Sequence, residues 1–401
     1  MKVLQINCSS YGSTGNIASQ IHNKLLEDGC ESYFAYGLGN CDLKNSYKIS
    51  NWFDNHMHLY LANFTGFHGF FSVICTLRFL SFVNKIKPDI IHLHNLHGYY
   101  INIPMLFKYI IKNKIPLMWT FHDCWPYTGK CPYYTMANCE KWKKQCYGCT
   151  QKKSYPFSYL FDTSSILHKY KKKLFTSIKD INIITVSNWL KTQVEMSFLS
   201  SFDIKTIYNG IDTQTFTIYD SREYINKKYN ISPDDKLILG VASDWSERKG
   251  LRKFIDISYK LKQDEKILLV GLNNNQIEML PQNIIGIKRT ENKQELAMLY
   301  SRADVFLNTS KEETFGLVTA EALSCGAPVV AFDSTACSEI ITEKCGIILK
   351  NDDIHSIING IRSAYKIKSN SCDFNLYINN NFSKEKMVNN YLEEYKKYIK
   401  K

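Results

Sequence analysis

Short, nearly uninterrupted apolar runs recur along this chain, each leading into a turn and then a stretch with helical spacing. In the first half they fall at residues 3–8, 32–36, 88–94, 116–121 and 181–186. In the second they fall at 237–242, 266–271, 283–287, 305–308 and 328–332. A strand that is apolar on both faces must be covered on both faces, and strands that alternate with helices pair in parallel. The pattern therefore predicts an α/β protein built on doubly wound parallel sheets. After the first run, Ile17, Ile21, Leu25 and Leu26 recur at helical spacing, as such a fold needs. Ligands to these sheets bind beyond the strand C-termini. Gly12, Gly15, His92, His94, His122 and Ser187 all fall there.

At 401 residues the chain is long enough for two or three domains, and a hydrophobic fraction of 44% excludes global disorder. The net charge of +12 suits phosphate-bearing substrates and an anionic bilayer surface. The lysines are spread rather than striped and no nucleic-acid motif is visible, so no nucleic acid partner is expected. Residues 1–7 are too short, and too polar beyond Ile6, for a signal peptide. The longest apolar-aromatic stretch, 63–83, is broken by His68, Arg78 and glycines, short of the about 18 uninterrupted apolar residues of a membrane span. With Trp52, Phe53, His56 and His58 it reads either as a buried helix pair or as a membrane- or acceptor-facing lip. Thirteen cysteines without a secretory signal predict reduced thiols and a cytoplasmic protein. Cys124, Cys131, Cys139, Cys146 and Cys149 cluster in an aromatic segment, 124–165, that interrupts the alternation and reads as an insertion. Only Cys146 and Cys149 have knuckle spacing. Cys131, Cys139, Cys146 and Cys149 therefore stand either as a structural zinc set or as unlinked buried thiols.

Glu313 and Glu321 bracket Thr-Phe-Gly-Leu-Val-Thr-Ala, and a helix stop at Gly326 and Pro328 precedes the last apolar run. Phe315, Gly316 and Leu317 then lie at a helix N-terminus, whose N–H groups and partial positive charge suit a phosphate. Two carboxylates bordering one pocket accept hydrogen bonds from sugar hydroxyls. Gly12-Ser13-Thr14-Gly15-Asn16 lets backbone approach a diphosphate, or is simply a strand-to-helix turn. His122-Asp123 ends a strand. It is either a structural histidine or a neutral donor that Asp123 orients. His92, His94 and His97 read as acceptor-site or structural residues, since no acid cluster partners them for a metal. In the loop 243–250, Arg248 and Lys249 are either a solvated charged pair or two cations for a departing diphosphate. No D-x-D pair sits at a strand end, so no catalytic metal is expected.

The segment from Glu313 to Phe332 resembles the E-x7-E signature of retaining, nucleotide-sugar-dependent glycosyltransferases of family 4. These have the GT-B fold, two Rossmann-like domains facing across a cleft, and a bacterial surface-polysaccharide setting. The resemblance is strongest over 236–332 and weak over 40–85 and 124–165. It implies an N-terminal acceptor-side domain at 1–205 with the insertion 124–165, and a C-terminal nucleotide-sugar domain at 206–382. The helix 383–401, with Tyr391, Leu392, Tyr395 and Ile399 as its apolar stripe, would cross back onto the first domain.

By the same resemblance Glu313 holds donor-sugar hydroxyls and Glu321 the ribose hydroxyls, while Phe315, Gly316 and Leu317 offer amides to the diphosphate. Gly12, Gly15 and Asn16 match the family's glycine loop, His122 faces the donor sugar and phosphates, and Arg289 and Thr290 line the base. Lys249 matches the family lysine. The family arginine, about five residues earlier, is replaced here by Asp244, with Arg248 the obvious substitute. The activity implied is metal-independent, hexosyltransferase-type and retaining, with the nucleotide sugar as substrate and no resident cofactor. The acceptor implied is a glycan or polyprenyl-diphosphate-linked sugar, met by a cytoplasmic protein loosely associated with the inner face of the membrane. Two rivals stand beside this reading: a nucleotide-sugar epimerase of the same fold, and a non-catalytic sugar-nucleotide-binding subunit. Intact Glu313, Glu321, His122 and Lys249 argue against the latter.

Overall fold

Val3, Leu4 and Ile6 are fully buried, as are Ile90, Ile91 and Leu93, and this burial is what parallel strands covered on both faces require. The structure, a computed structural model, describes residues 1–368 and 371–399. The chain forms two compact units, Met1–Tyr208 with Val388–Lys401, and Asn209–Met387.

The first unit carries β1 (Lys2–Ser9), β2 (Glu31–Leu38), β3 (Ser46–Lys48), β4 (Ile90–Leu93), β5 (Leu117–Phe121), β6 (Ile181–Thr185) and β7 (Asp203–Thr206). They form one parallel sheet in the order β3-β2-β1-β4-β5-β6-β7. The second unit carries β8 (Lys236–Val241), β9 (Glu265–Val270), β10 (Ile284–Ile287), β11 (Val305–Asn308), β12 (Val329–Phe332) and β13 (Gly346–Leu349). These too are parallel, in the order β10-β9-β8-β11-β12-β13. Both are doubly wound Rossmann-like sheets. Strand order reverses between β1 and β4 in one and between β8 and β11 in the other, and the C-terminal ends of those strands mark the binding crevice of each unit. The sequence pattern misses β3, β7 and β13. All are edge strands, which need no apolar run on both faces.

The core of the second unit gathers Ile238, Phe254, Ile267, Leu269, Val305 and Val330, each almost completely buried. Each such side chain contributes about 1.5–3 kcal/mol on burial. From Val388 onward the last helix, Lys384–Ile399, belongs to the first unit. Tyr391 and Tyr395 are buried there and reach Thr120 Oγ1 (3.0 Å) and His92 Nδ1 (2.5 Å). Leu392 of the predicted stripe is half-buried, and the side chain of Ile399 lies outside the described residues.

Helices Trp52–Thr65 and Val73–Ile86 have one buried and one exposed face. Their inner faces bury His58, Ala62, Phe79 and Val83, while Trp52, Phe53, Tyr60, Ile74 and Leu77 are exposed. No helix among the described residues is long and apolar enough to cross a membrane.

The insertion is held by buried lysines. Lys171 Nζ stands 3.4 Å from the centre of the Trp125 ring and donates to the carbonyls of Trp125 (2.7 Å) and Thr128 (3.1 Å). Lys130 Nζ donates to the carbonyls of Lys152 (3.0 Å), Gln151 and Ser154. Cys131, Cys139, Cys146 and Cys149 are thiols. Among the described residues no group of three or more His, Cys, Asp or Glu is placed to hold a metal ion.

Candidate functional site

In the second unit the loops after β8 and β11 meet. After β8 the chain makes a tight turn at Glu247–Lys249 and passes through Gly250 at φ +75°. A Cβ at Gly250 would stand 2.7 Å from the Thr309 carbonyl oxygen, so only glycine lets the two loops approach this closely. Thr309 Oγ1 donates to the Lys249 carbonyl at 2.7 Å. The Lys249 ammonium pairs with Glu313 Oε1, and both side chains are largely withdrawn from water. The backbone of Glu313 is clamped at both ends by Thr335. The Glu313 N–H donates to the threonine hydroxyl (2.8 Å), and that hydroxyl donates to the Glu313 carbonyl (2.7 Å). Arg248 Nη1 donates to the Glu312 carbonyl at 2.7 Å, and its own carbonyl accepts from the Lys311 N–H at 3.0 Å. Lys249 and Glu313, 64 residues apart in sequence, are thus fixed by a frame of main-chain bonds.

Beyond Glu313 the chain turns at Gly316 (φ +99°) into helix Leu317–Ser324. Phe315, Gly316 and Leu317 lie at its N-terminus, where the first N–H groups have no acceptor within the helix. Glu321, one turn in and partly exposed, accepts from the buried Tyr300 hydroxyl at 3.2 Å. Burial pushes its carboxyl up to about 7, against the opposing pull of the Tyr300 bond and of Lys293. Arg289 and Thr290 are set apart from this group. They follow β10, the edge strand, two strands from β8, and Arg289 is exposed.

In the first unit Gly12 (φ +74°) opens helix Gly12–Glu27 directly after β1. A Cβ at Gly15 would lie 2.6 Å from the Ser10 carbonyl carbon, so Gly15 allows the helix to sit against the turn, while Asn16 is exposed. His122 follows β5 and is buried. Its Nε2 shares a hydrogen bond with His94 Nδ1 at 3.0 Å. Asp123 does not supply the expected orientation of His122. Its Oδ2 accepts from His97 Nε2 (2.7 Å) and its Oδ1 from the Trp125 N–H (2.9 Å). Burial alone would raise the Asp123 carboxyl, but His97 and the Trp125 amide bring it below the ordinary carboxylate value. His97 Nδ1 in turn meets the Tyr155 hydroxyl at 2.9 Å.

His92 and His94 share a strand face, with ring centres 4.1 Å apart. His92 is a core residue, bonded to Tyr395 and to Thr120 Oγ1 (2.8 Å). Burial lowers His92 to about 3, His122 to about 4 and His94 well below its usual value, so all three are neutral at pH 7. Sequence reasoning missed Thr335, Tyr300 and the His94–His122 bond. A lone Thr, a lone Tyr and a strand histidine carry no local signal of such roles.

Compared with known proteins, residues 23–215 match the family described as Glycosyltransferase Family 4, and residues 235–366 match Glycosyl transferases group 1. WcaC of Escherichia coli K12, assigned as a colanic acid biosynthesis glycosyl transferase, is 24% identical over 392 residues, covering 89% of each chain. RfbU of Salmonella typhimurium, an O-antigen chain mannosyltransferase, is 25% identical over 227 residues, 54% of this chain and 60% of its own. Among solved structures, sucrose-phosphate synthase from Thermosynechococcus elongatus aligns over 99% of both chains with a TM-score of 0.73 at 14% identity. Anabaena HepE, in complex with UDP and glucose, aligns over 99% of both chains with a TM-score of 0.68 at 14% identity. These structural likenesses bear on the fold, which is that of GT-B proteins.

Proposed function

Since the chain belongs to the glycosyltransferases, with the family 4 pattern over its N-terminal part and the group 1 pattern over its C-terminal part, we propose that it builds bacterial surface polysaccharide by moving a sugar from a nucleotide-sugar donor to a glycan or polyprenyl-diphosphate-linked acceptor. The observation that carries this reading is the Lys249–Glu313 pair, set where strand order reverses and one turn ahead of a helix N-terminus. A departing nucleoside diphosphate gains negative charge. A desolvated ammonium and a helix N-terminus offset that charge far better than water does. In the free protein Glu313 neutralises Lys249. With donor bound, Lys249 turns to the diphosphate and Glu313 to the sugar hydroxyls.

Arg248 is the second cation and Glu321 takes the ribose hydroxyls. Phe315, Gly316 and Leu317 offer amides to the phosphates, and Arg289 and Thr290 lie along the base. Gly12, Gly15 and Asn16 form the glycine loop of the first unit, and neutral His122 donates to an oxygen of the transferred sugar. Transfer is retaining and metal-independent: the acceptor attacks on the face the diphosphate leaves, and the leaving phosphate takes its proton. The names of WcaC and RfbU support the polysaccharide setting, and the UDP complexes of HepE support the donor class. The exposed Trp52, Phe53, Tyr60, Ile74 and Leu77 support loose attachment to the cytoplasmic face of a membrane.

The test is a thermal-shift screen of UDP-, GDP-, ADP- and dTDP-sugars, in which a true donor raises the melting temperature by binding linkage. Transfer with the selected donor then follows. Glu313→Ala should lower the rate about 10²–10³-fold in a protein that stays folded. Near-normal transfer by that variant removes Glu313 from the site. Conversion of the free nucleotide sugar without acceptor would instead identify an epimerase.

A further inference from the structure

Histidine 122 has two neutral forms, one with its proton on Nδ1 and one with it on Nε2, and only the first offers a donor at Nδ1. We propose that Gln5 and His94 are positioning residues that hold His122 as the Nδ1–H tautomer. The inference rests on the reading that His122 donates to the transferred sugar. It deepens that reading by naming what sets the direction of the proton.

The direction of the proton is set by main chain that cannot change its role. Gln5, on β1, is fully buried. Its amide meets three groups: the Ala18 carbonyl at 3.2 Å, the His22 N–H at 3.0 Å and His94 Nε2 at 3.1 Å. A carbonyl only accepts and an amide N–H only donates. One amide orientation satisfies both, with the NH₂ toward Ala18 and His94 and the oxygen toward His22. His94 Nε2 is therefore an acceptor. A neutral imidazole carries one proton, so the proton of His94 is on Nδ1 and points along the 3.0 Å bond to His122 Nε2. That nitrogen accepts, and the proton of His122 is left on Nδ1.

His92 does not divert the relay. The ring of His92 lies against His94, but both its nitrogens are engaged elsewhere, by the Tyr395 hydroxyl and Thr120 Oγ1. Burial keeps His94 and His122 neutral across the working pH range, so neither ring acquires the second proton that would erase the distinction. The direction of the His94–His122 bond is thus dictated by two peptide groups of helix Gly12–Glu27, the helix that Gly12 opens. A Gln, two histidines and a helix backbone make one directed chain. Reversing any link turns the Nδ1 of His122 from donor to acceptor, which can accept from a sugar O–H but offers no proton to a sugar oxygen.

The experiment is nuclear magnetic resonance of the full chain labelled with ¹⁵N-histidine, without ligand, assigned with His94→Gln and His122→Gln. Ring nitrogens that carry a proton are distinguished from those that do not by shift and coupling. The expected result is that His94 and His122 are both neutral and protonated at Nδ1 between about pH 6 and about pH 8. A proton on Nε2 of His122 overturns the proposal. Gln5→Met removes the donor to His94 and should shift the His122 tautomer ratio toward Nε2–H about fivefold, the equivalent of one ordinary hydrogen bond. An unchanged ratio in a folded Gln5→Met protein overturns the role of Gln5. If that variant does not fold, the parent spectrum decides. Full transfer activity in His122→Ala would remove His122 from the chemistry and leave the tautomer assignment standing, so the two claims fail separately.

Discussion

Replacing Glu321 by glutamine should stabilise the protein in a pH-dependent way, and the size of the effect follows from the site. Gln keeps the shape and the acceptor for the Tyr300 hydroxyl, so the change removes the titrating proton and little else. Burial raises the carboxyl from its ordinary 4.5 to about 7 in the fold. A group whose folded pKa is raised contributes stability that is fully present below the unfolded value and is lost as pH rises through the folded value. Over about pH 4.5 to about pH 7, then, the parent protein loses stability through this group. The full shift corresponds to roughly 3 kcal/mol. The carboxyl is partly exposed, and solvent screening reduces the expected loss between about pH 5 and about pH 8 to about 2 kcal/mol. Urea unfolding of parent and Glu321→Gln at the two pH values measures it. The difference between the proteins cancels groups that do not couple to Glu321. The variant should gain about 2 kcal/mol on the parent as pH rises. Parallel pH profiles would show that Glu321 is solvated like a surface carboxylate and that burial does not raise its carboxyl.

Further tests bear on the site and its frame. Lys249→Met strands Glu313 without its counter-ion and should cost about 2 kcal/mol, whereas Lys249→Met with Glu313→Gln should recover most of that stability but no activity, as denaturation and transfer assays would show. If Glu321 meets ribose hydroxyls as a carboxylate, donor binding near neutral pH should release a fraction of a proton, read by calorimetry in buffers of different ionisation enthalpy. Lys171→Met should cost about 2 kcal/mol and expose the insertion to proteolysis, because the main-chain carbonyls of Trp125 and Thr128 lose their donor. Trp52→Ser with Phe53→Ser should lower co-sedimentation with anionic vesicles without changing the melting temperature, since both side chains face solvent.

Local sequence pattern already carries the strands with apolar runs, from β1 and β2 through β11 and β12, the helix between Gly316 and Gly326, the places of Gly12 and His122 at strand ends, and those of Lys249 and Glu313 in the loops that follow β8 and β11. These follow from periodicity and turn chemistry, which act over a few residues. Tertiary structure alone decided which of those groups touch. Lys249 meets Glu313 across 64 residues, His94 meets His122 across 28, and His92 meets Tyr395 across 303. Only strand order and register bring them together. The same holds for Asp123, which turned to His97 instead of its sequence neighbour. It holds for the insertion too, where Lys130 and Lys171 found buried carbonyls to bind. A buried polar group takes whatever partner the packing leaves within reach, and no local pattern records that choice.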